Sequence, residues 1–155
     1  YARIPADMRY IASFFGKELL GEVDPAEFYA KKWNTADRPV RRAKHFFDEN
    51  ARVPKMRDAL TAGNAREYMR LMNESGRSSE ELLNNIVTSA TDDRKLETGL
   101  YLSRRLLEGI GAWRVHGGGF AGCVQALMPM DYFPKYKSEM EAAFGDGSCR
   151  ELKLG

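Results

Sequence analysis

Residues 111–123 read GAWRVHGGGFAGC. Five of these thirteen positions are glycine, three of them consecutive at Gly117, Gly118 and Gly119. A glycine in regular structure costs about 0.5–1 kcal/mol through lost contacts and chain entropy, so so bare a stretch needs a use. The run before it, Ala112–His116, alternates as a strand does, with Trp113 and Val115 on one side and Ala112 and Arg114 on the other. The run after it, CVQALM (residues 123–128), suits strand or helix by propensity. A strand, a glycine turn and a second β-like run place β structure late in the chain, and this decides the fold class because almost everything earlier reads as helix.

Met8, Ile11, Phe15 and Leu19 keep helical spacing after Pro5, and Gly21 is the expected stop. Asp24-Pro25-Ala26-Glu27 supplies an N-cap, a first-turn proline and a glutamate placed to close a capping box, opening a short helix that ends by Asn34. Val40, Ala43, Phe47, Met56 and Leu60 predict a long amphipathic helix, kinked or broken near Val53 by Pro54 and stopped by Gly63. Asn64 with Glu67 opens another helix that Gly76 should end. SSEELLNNI (78–86) looks helical and VTSAT (87–91) does not. Asp92 or Asp93 then caps a helix carrying Leu96, Leu100 and Leu107 on one face. After the glycine stretch, Pro134 and Gly145 bracket a last helix, and CRELKLG (149–155) has the alternation of a closing strand. Many helices followed by β, β, α, β describe an α+β fold. The expectation is one domain, 1–155, with an antiparallel sheet covered by helices on one face.

Phe46, Phe47, Tyr68 and Met72 read as helix–helix core. His45 reads as structural, and Arg41-Arg42-Ala43-Lys44 as a solvated helix face. The chain has 155 residues, 24 basic against 22 acidic side chains and a formal net charge of +2. That balance gives no electrostatic case for nucleic acid or an anionic membrane, and no apolar run approaches the roughly 20 residues needed to span a bilayer. Two separated cysteines, Cys123 and Cys149, with two histidines at unrelated spacing, make neither a disulfide framework nor a metal set. They point to a reducing, cytoplasmic setting. The chain starts at Tyr1 without an initiator methionine, which fits a piece of a longer protein.

Gly117-Gly118-Gly119-Phe120-Ala121-Gly122 satisfies G-x-G-x-x-G, but a dinucleotide site also needs a helix opening at once and an acid ending a second parallel strand about 20 residues on. Pro129 cuts any such helix short, and the expected second strand is instead YKSEMEAAF (136–144). A nucleoside-triphosphate loop would end in Gly-Lys-Ser or Gly-Lys-Thr, and Cys123 follows Gly122. Two readings remain on the residues alone: a turn made bare for packing, or a turn whose backbone N–H groups are open to an anion or substrate.

GIGAWRVHGGGFAGCVQALMP (109–129) resembles the third conserved motif of the GHMP kinases, in particular galactokinase, where a threonine precedes Gly-Gly-Gly-Phe-Gly-Gly-Cys and an apolar strand follows. RRAKHFFDENARV (41–53), LTAGNAREYMRLMNESGRSS (60–79) and IPADMRYIASFFGKELLGEVD (4–24) resemble stretches of the same family in the same order. The resemblance implies a GHMP kinase C-terminal domain of ferredoxin-like α+β type. It implies that Gly117, Gly118, Gly119, Phe120 and His116 line the substrate side of a cleft. The sugar signature and the Pro-x-Gly-x-Gly-Leu-Ser-Ser-Ser phosphate loop of the family's N-terminal lobe do not occur here. No catalytic residue or metal ligand is therefore assigned to this chain. ATP, Mg2+ and the sugar belong, on this resemblance, to the intact protein, whose own N-terminal lobe is the partner.

The sequence departs from the family pattern at four positions: His116 for threonine, Ala121 for glycine, Gly76 for histidine and Ser79 for leucine. The first two fall on the cleft motif and leave the sugar open. A non-enzymatic galactokinase-like sensor, a GHMP kinase for another small hydroxylated substrate, and a helical interaction module are the alternatives.

Overall fold

The structure, a computed structural model, describes residues 2–87, 93–120 and 122–152. Contacts divide the chain into two compact units, Tyr1–Asn85 and Ile86–Gly155.

Unit 1 is helical. Helix α1 spans Arg3–Ser13, α2 Pro25–Ala30, α3 Arg38–Thr61 and α4 Ala65–Ser78, with a single 3-10 turn at Leu20–Glu22 and a π turn at Ser79–Leu83 continuing α4. Ile11, Ala12, Leu20, Val23, Phe28, Val40, Ala43 and Phe47 form its core, with Phe46 packed against them. Fully burying each large apolar side chain contributes about 1.5–3 kcal/mol. Met72 is buried and Tyr68 half-buried, as a helix–helix role requires.

Local chemistry explains where the helices begin and end. Helix α1 stops at Gly16, five residues before the expected Gly21. Gly16 adopts φ +65°, its N–H donates to the Ser13 carbonyl and that of Lys17 to the Ala12 carbonyl, which satisfies the last carbonyls of the helix. Leu19 is consequently exposed and Leu20 buried. Asp24 caps α2 as expected, its Oδ1 accepting from the Ala26 N–H at 2.8 Å, but Glu27 does not close a capping box. Asn64 Oδ1 accepts from the Glu67 N–H at 3.1 Å and opens α4.

Helix α3 runs unbroken through Pro54. The carbonyl that proline leaves without its helical donor is that of Asn50, an exposed residue. Packing of α3 against α1 and α4 holds the helix together. Gly76 does not end α4 either: it is buried inside the helix. The chain turns only at Asn84, in the left-handed region (φ 59°, ψ 52°), where its N–H donates to the Ser79 carbonyl.

The basic run is not a solvated face. Arg42 is buried, its Nη1 donating to Asp7 Oδ2 at 2.7 Å and its Nε to the Leu83 carbonyl at 3.1 Å. Arg38 donates to both carboxylate oxygens of the same Asp7. His45 is buried and structural, with Nδ1 2.9 Å from Ser78 Oγ.

Unit 2 contains α5 (Lys95–Leu107), strands β1 (Ala112–His116) and β2 (Cys123–Leu127), and α6 (Phe133–Phe144). Asp93 Oδ1 accepts from the Lys95 N–H at 2.8 Å at the start of α5; Asp92 and most of VTSAT lie outside the described residues. The strands form a two-stranded antiparallel sheet pairing Ala112 with Leu127 through His116 with Cys123. Trp113 and Val115 face the helices, packing with Leu96 and Leu100 of α5 and, through Trp113, with Tyr136 and Met140 of α6. This is the α+β arrangement, a sheet covered on one face. The expected closing strand is absent from residues 149–152; residues 153–155 lie outside the described residues. The CREL stretch follows a helix end at Phe144 and a turn in which the Ser148 N–H donates to the Gly145 carbonyl.

Candidate functional site

The glycine loop, Gly117–Gly122, joins two strands whose last register pair is His116 and Cys123. The hairpin is seated on α5 by close packing. A Cβ added at Gly99 of α5 would meet Val124 Cγ2 at 3.2 Å, so the Val124 side chain of β2 packs directly on the α5 backbone. Ser103 Oγ donates to the Gly99 carbonyl at 2.7 Å and lies 2.8 Å from the Tyr136 hydroxyl, which pins α6 to α5. Burial pushes the Tyr136 phenol above its ordinary value, so it serves as a neutral hydrogen-bonding group.

The five glycines of the opening stretch do different work. Gly117 and Gly119 take φ +72° and +78°, the left-handed region that favours glycine. Gly122 is bare for another reason, since a Cβ there would sit 2.9 Å from the His116 carbonyl oxygen. Gly111 faces the Leu127 carbonyl in the same way at the far end of the hairpin. Gly118 is exposed and its φ is not positive. Backbone conformation or close packing accounts for Gly111, Gly117, Gly119 and Gly122, and Gly118 is an exposed residue of the same loop.

Phe120 also lies in the left-handed region, at φ 60°, where a non-glycine residue stores on the order of 1 kcal/mol or more. It is half-buried, Gly119 is buried, and Gly117 and His116 are exposed. All five sequence-predicted site residues thus fall on one hairpin end. Ala121 lies outside the described residues. The outer face of the sheet adds neighbours that the glycine motif does not announce: Arg114 pairs with Gln125 and lies two residues before His116 on the same strand face. Arg114 is half-buried and its Nε donates to the Val115 carbonyl at 3.1 Å. Strand alternation alone puts Arg114 on that face, but its relevance needs the register with β2.

From His116 to Cys123 there is no carboxylate. The loop offers backbone, one imidazole and one ring wall, which suits it to bind and position a ligand and gives it no acid–base pair.

No protein-family model matches the chain. The fold is that of a known class of sugar-kinase domain. Among solved structures the chain is similar to the galactokinase of Lactococcus lactis, determined in complex with galactose, with a TM-score of 0.71 and 25% sequence identity. The match covers 94% of this chain and 38% of that one, so the chain spans well under half the length of the galactokinase it resembles, consistent with a galactokinase C-terminal domain. Among the described residues no helix is long and apolar enough to cross a membrane.

Proposed function

We propose that this chain is the C-terminal domain, 1–155, of a galactokinase-like sugar kinase. In that role it completes the cleft in which the intact protein, with ATP and Mg2+, moves the γ-phosphoryl group to the anomeric hydroxyl of galactose or a related sugar. The likeness in fold to a galactokinase over nearly the whole chain carries the reading. The glycine hairpin supports it locally, because its end carries the exposed Gly117 and Gly118 beside the exposed His116.

Phosphoryl transfer depends on positioning and on stabilising charge. Gly117, Gly118 and Gly119 provide backbone that a substrate can approach closely, Phe120 closes one side, and the exposed His116 imidazole reaches a substrate hydroxyl or phosphoryl oxygen. The reacting groups and the metal ligands come from the N-terminal lobe, so this chain alone does not turn over substrate, and its place is in the cytoplasm with the sugar and nucleotide pools. The test is sugar-dependent ADP release by the intact protein across a panel of hexoses. Release with galactose or a close relative supports the reading, and no sugar-dependent release with any hexose overturns it.

A further inference from the structure

Unit 1 carries a second concave surface, on elements other than the glycine hairpin. Phe14, Phe15, Glu27, Ala30 and Lys31 line an open groove of about 630 Å³, within the roughly 300–1,000 Å³ of small-molecule sites. Phe14 is 49% exposed despite being aromatic. Its ring meets Trp33 edge-on, with centroids 5.6 Å apart at 88°, and Tyr10 on its other side at 5.1 Å.

The charges in the groove are arranged unusually. Lys31 follows Glu27 by four residues, the spacing at which a helix pairs them. Lys31 is the C-cap, however, with extended backbone (φ −78°, ψ 137°). Its ammonium lies 5.9 Å from the Phe14 centroid and 5.5 Å from that of Trp33. The Glu27 carboxylate makes no ion pair or hydrogen bond among the described residues. By contrast the nearby carboxylates are used: Glu22 accepts from the Glu18 and Leu19 N–H groups, and Asp24 caps α2.

The groove therefore presents ring surface together with an acceptor-only carboxylate and a donor-only ammonium. A cationic ligand meets the like charge of Lys31, and an anionic one that of Glu27. A wholly apolar ligand would strip water from both charges without replacing it. A neutral polyhydroxylated ring meets none of these objections. Its C–H face lies on Phe14, its hydroxyls donate to Glu27, and its oxygens accept from Lys31. We propose that this groove is a subsite for a neutral pyranose, either a free sugar or one unit of a longer glycan. The inference goes beyond the kinase reading and does not rest on it.

The test uses the 15N-labelled 155-residue chain titrated with D-galactose, D-glucose and lactose, followed by NMR. The Trp33 ring meets Phe14 and Phe15 of the lining and its Nε1–H donates to the Phe28 carbonyl at 2.8 Å, so its indole signal reports on the groove's rings, and the Trp113 indole is the internal control. The expected result is a saturable shift of the Trp33 indole and the Ala30 amide with at least one sugar, at a dissociation constant of about 1–10 mM, while Trp113 is unmoved. Phe14→Ala should weaken binding at least about fivefold, and Lys31→Met, which leaves the rings in place, at least about threefold. Unsaturable shifts up to about 50 mM of all three sugars, shifts confined to the glycine hairpin, or unaltered binding in both variants would overturn the proposal. So would a saturable response to tetramethylammonium in place of the sugars, which would make the groove a cation site.

Discussion

Asp7 on α1 and Arg42 on α3, 35 positions apart in sequence, meet at 2.7 Å in the interior of unit 1. Both are nearly buried, with side-chain exposures of 10% and 7%. Arg42 also donates to the Leu83 carbonyl of the π turn, so one guanidinium ties three elements together. Breaking a buried pair by removing one partner leaves a charge with neither water nor counter-ion. Asp7→Ala should lower stability by about 3–5 kcal/mol, read from urea unfolding. Arg38→Ala should cost no more than about 1 kcal/mol, because Arg38 is 47% exposed. Equal costs for the two would mean that burial does not decide the matter.

The same carboxylate sets an acid limit. The hydrogen bond from Arg38, aided by Arg42, holds Asp7 below its ordinary value of 3.8 against the opposing effect of burial. Between the lowered value and the ordinary one, the folded chain holds fewer protons than the unfolded chain. Stability from Asp7 is therefore complete above the ordinary value and lost as pH falls through the lowered one. Unfolding midpoints taken from about pH 6 to pH 2 should fall less steeply in Asp7→Asn than in the parent chain.

Two glycines of one loop should separate structure from function. Gly122→Ala places a methyl 2.9 Å from the His116 carbonyl oxygen and should destabilise the hairpin by about 1–3 kcal/mol, seen as a lower melting temperature. Gly118→Val should change stability by no more than about 1 kcal/mol. In the intact protein it should nevertheless reduce kcat/KM about tenfold or more by blocking close approach of substrate. Full activity in Gly118→Val would show that ligand does not approach this backbone.

Asn84 occupies a left-handed position at an exposed helix end. Asn84→Gly should be neutral or slightly stabilising, and Asn84→Ala should cost about 1 kcal/mol, because alanine lacks the local hydrogen bonding that lets asparagine adopt this conformation. Thermal unfolding of the two variants side by side checks the order.

The cysteines should react at different rates. Cys123 is exposed at the start of β2, whereas Cys149 is half-buried. Burial first, and then the charge of Glu141, push the Cys149 thiol above its ordinary value of 9.0. Because the thiolate is the nucleophile, an aromatic disulfide reagent near pH 8 should label Cys123 about tenfold faster, and Cys123→Ser should abolish the fast phase. A fast phase surviving that substitution would reverse the assignment.

Much of unit 2 was legible because its signals are local. Alternation over Ala112–His116 marked β1, and Pro134 with Gly145 bracketed α6, since strand facing and helix ends depend on immediate neighbours. That His116, Gly117, Gly118, Gly119 and Phe120 share one hairpin end was legible for the same reason, since they are consecutive. What escaped reading depended on distant partners. Arg42 looked solvated within a basic run because Asp7 is far away in sequence. Gly76 looked like a helix stop, but it lies where a buried helix face rewards a residue without a side chain. Pro54 looked like a break, yet the carbonyl it strands belongs to an exposed residue, Asn50, and packing on α1 and α4 keeps the helix whole. Apolar spacing that runs on to Leu19 points to Gly21 as the first stop, whereas the backbone bonds at Gly16 and Lys17 close the helix earlier.

The contact between Gly99 and Val124 constrains how this sequence can drift. A glycine inside a helix sacrifices about 1 kcal/mol of helix propensity, and here the space it vacates is taken by a valine methyl, with Phe144 and Met140 close behind. The two positions should therefore exchange volume: a lineage in which residue 124 shrinks to alanine gains room for alanine at residue 99, and with it a stiffer α5. Substituting either one first passes through a cavity or a clash. Related chains should fall into two camps, small at one position and large at the other.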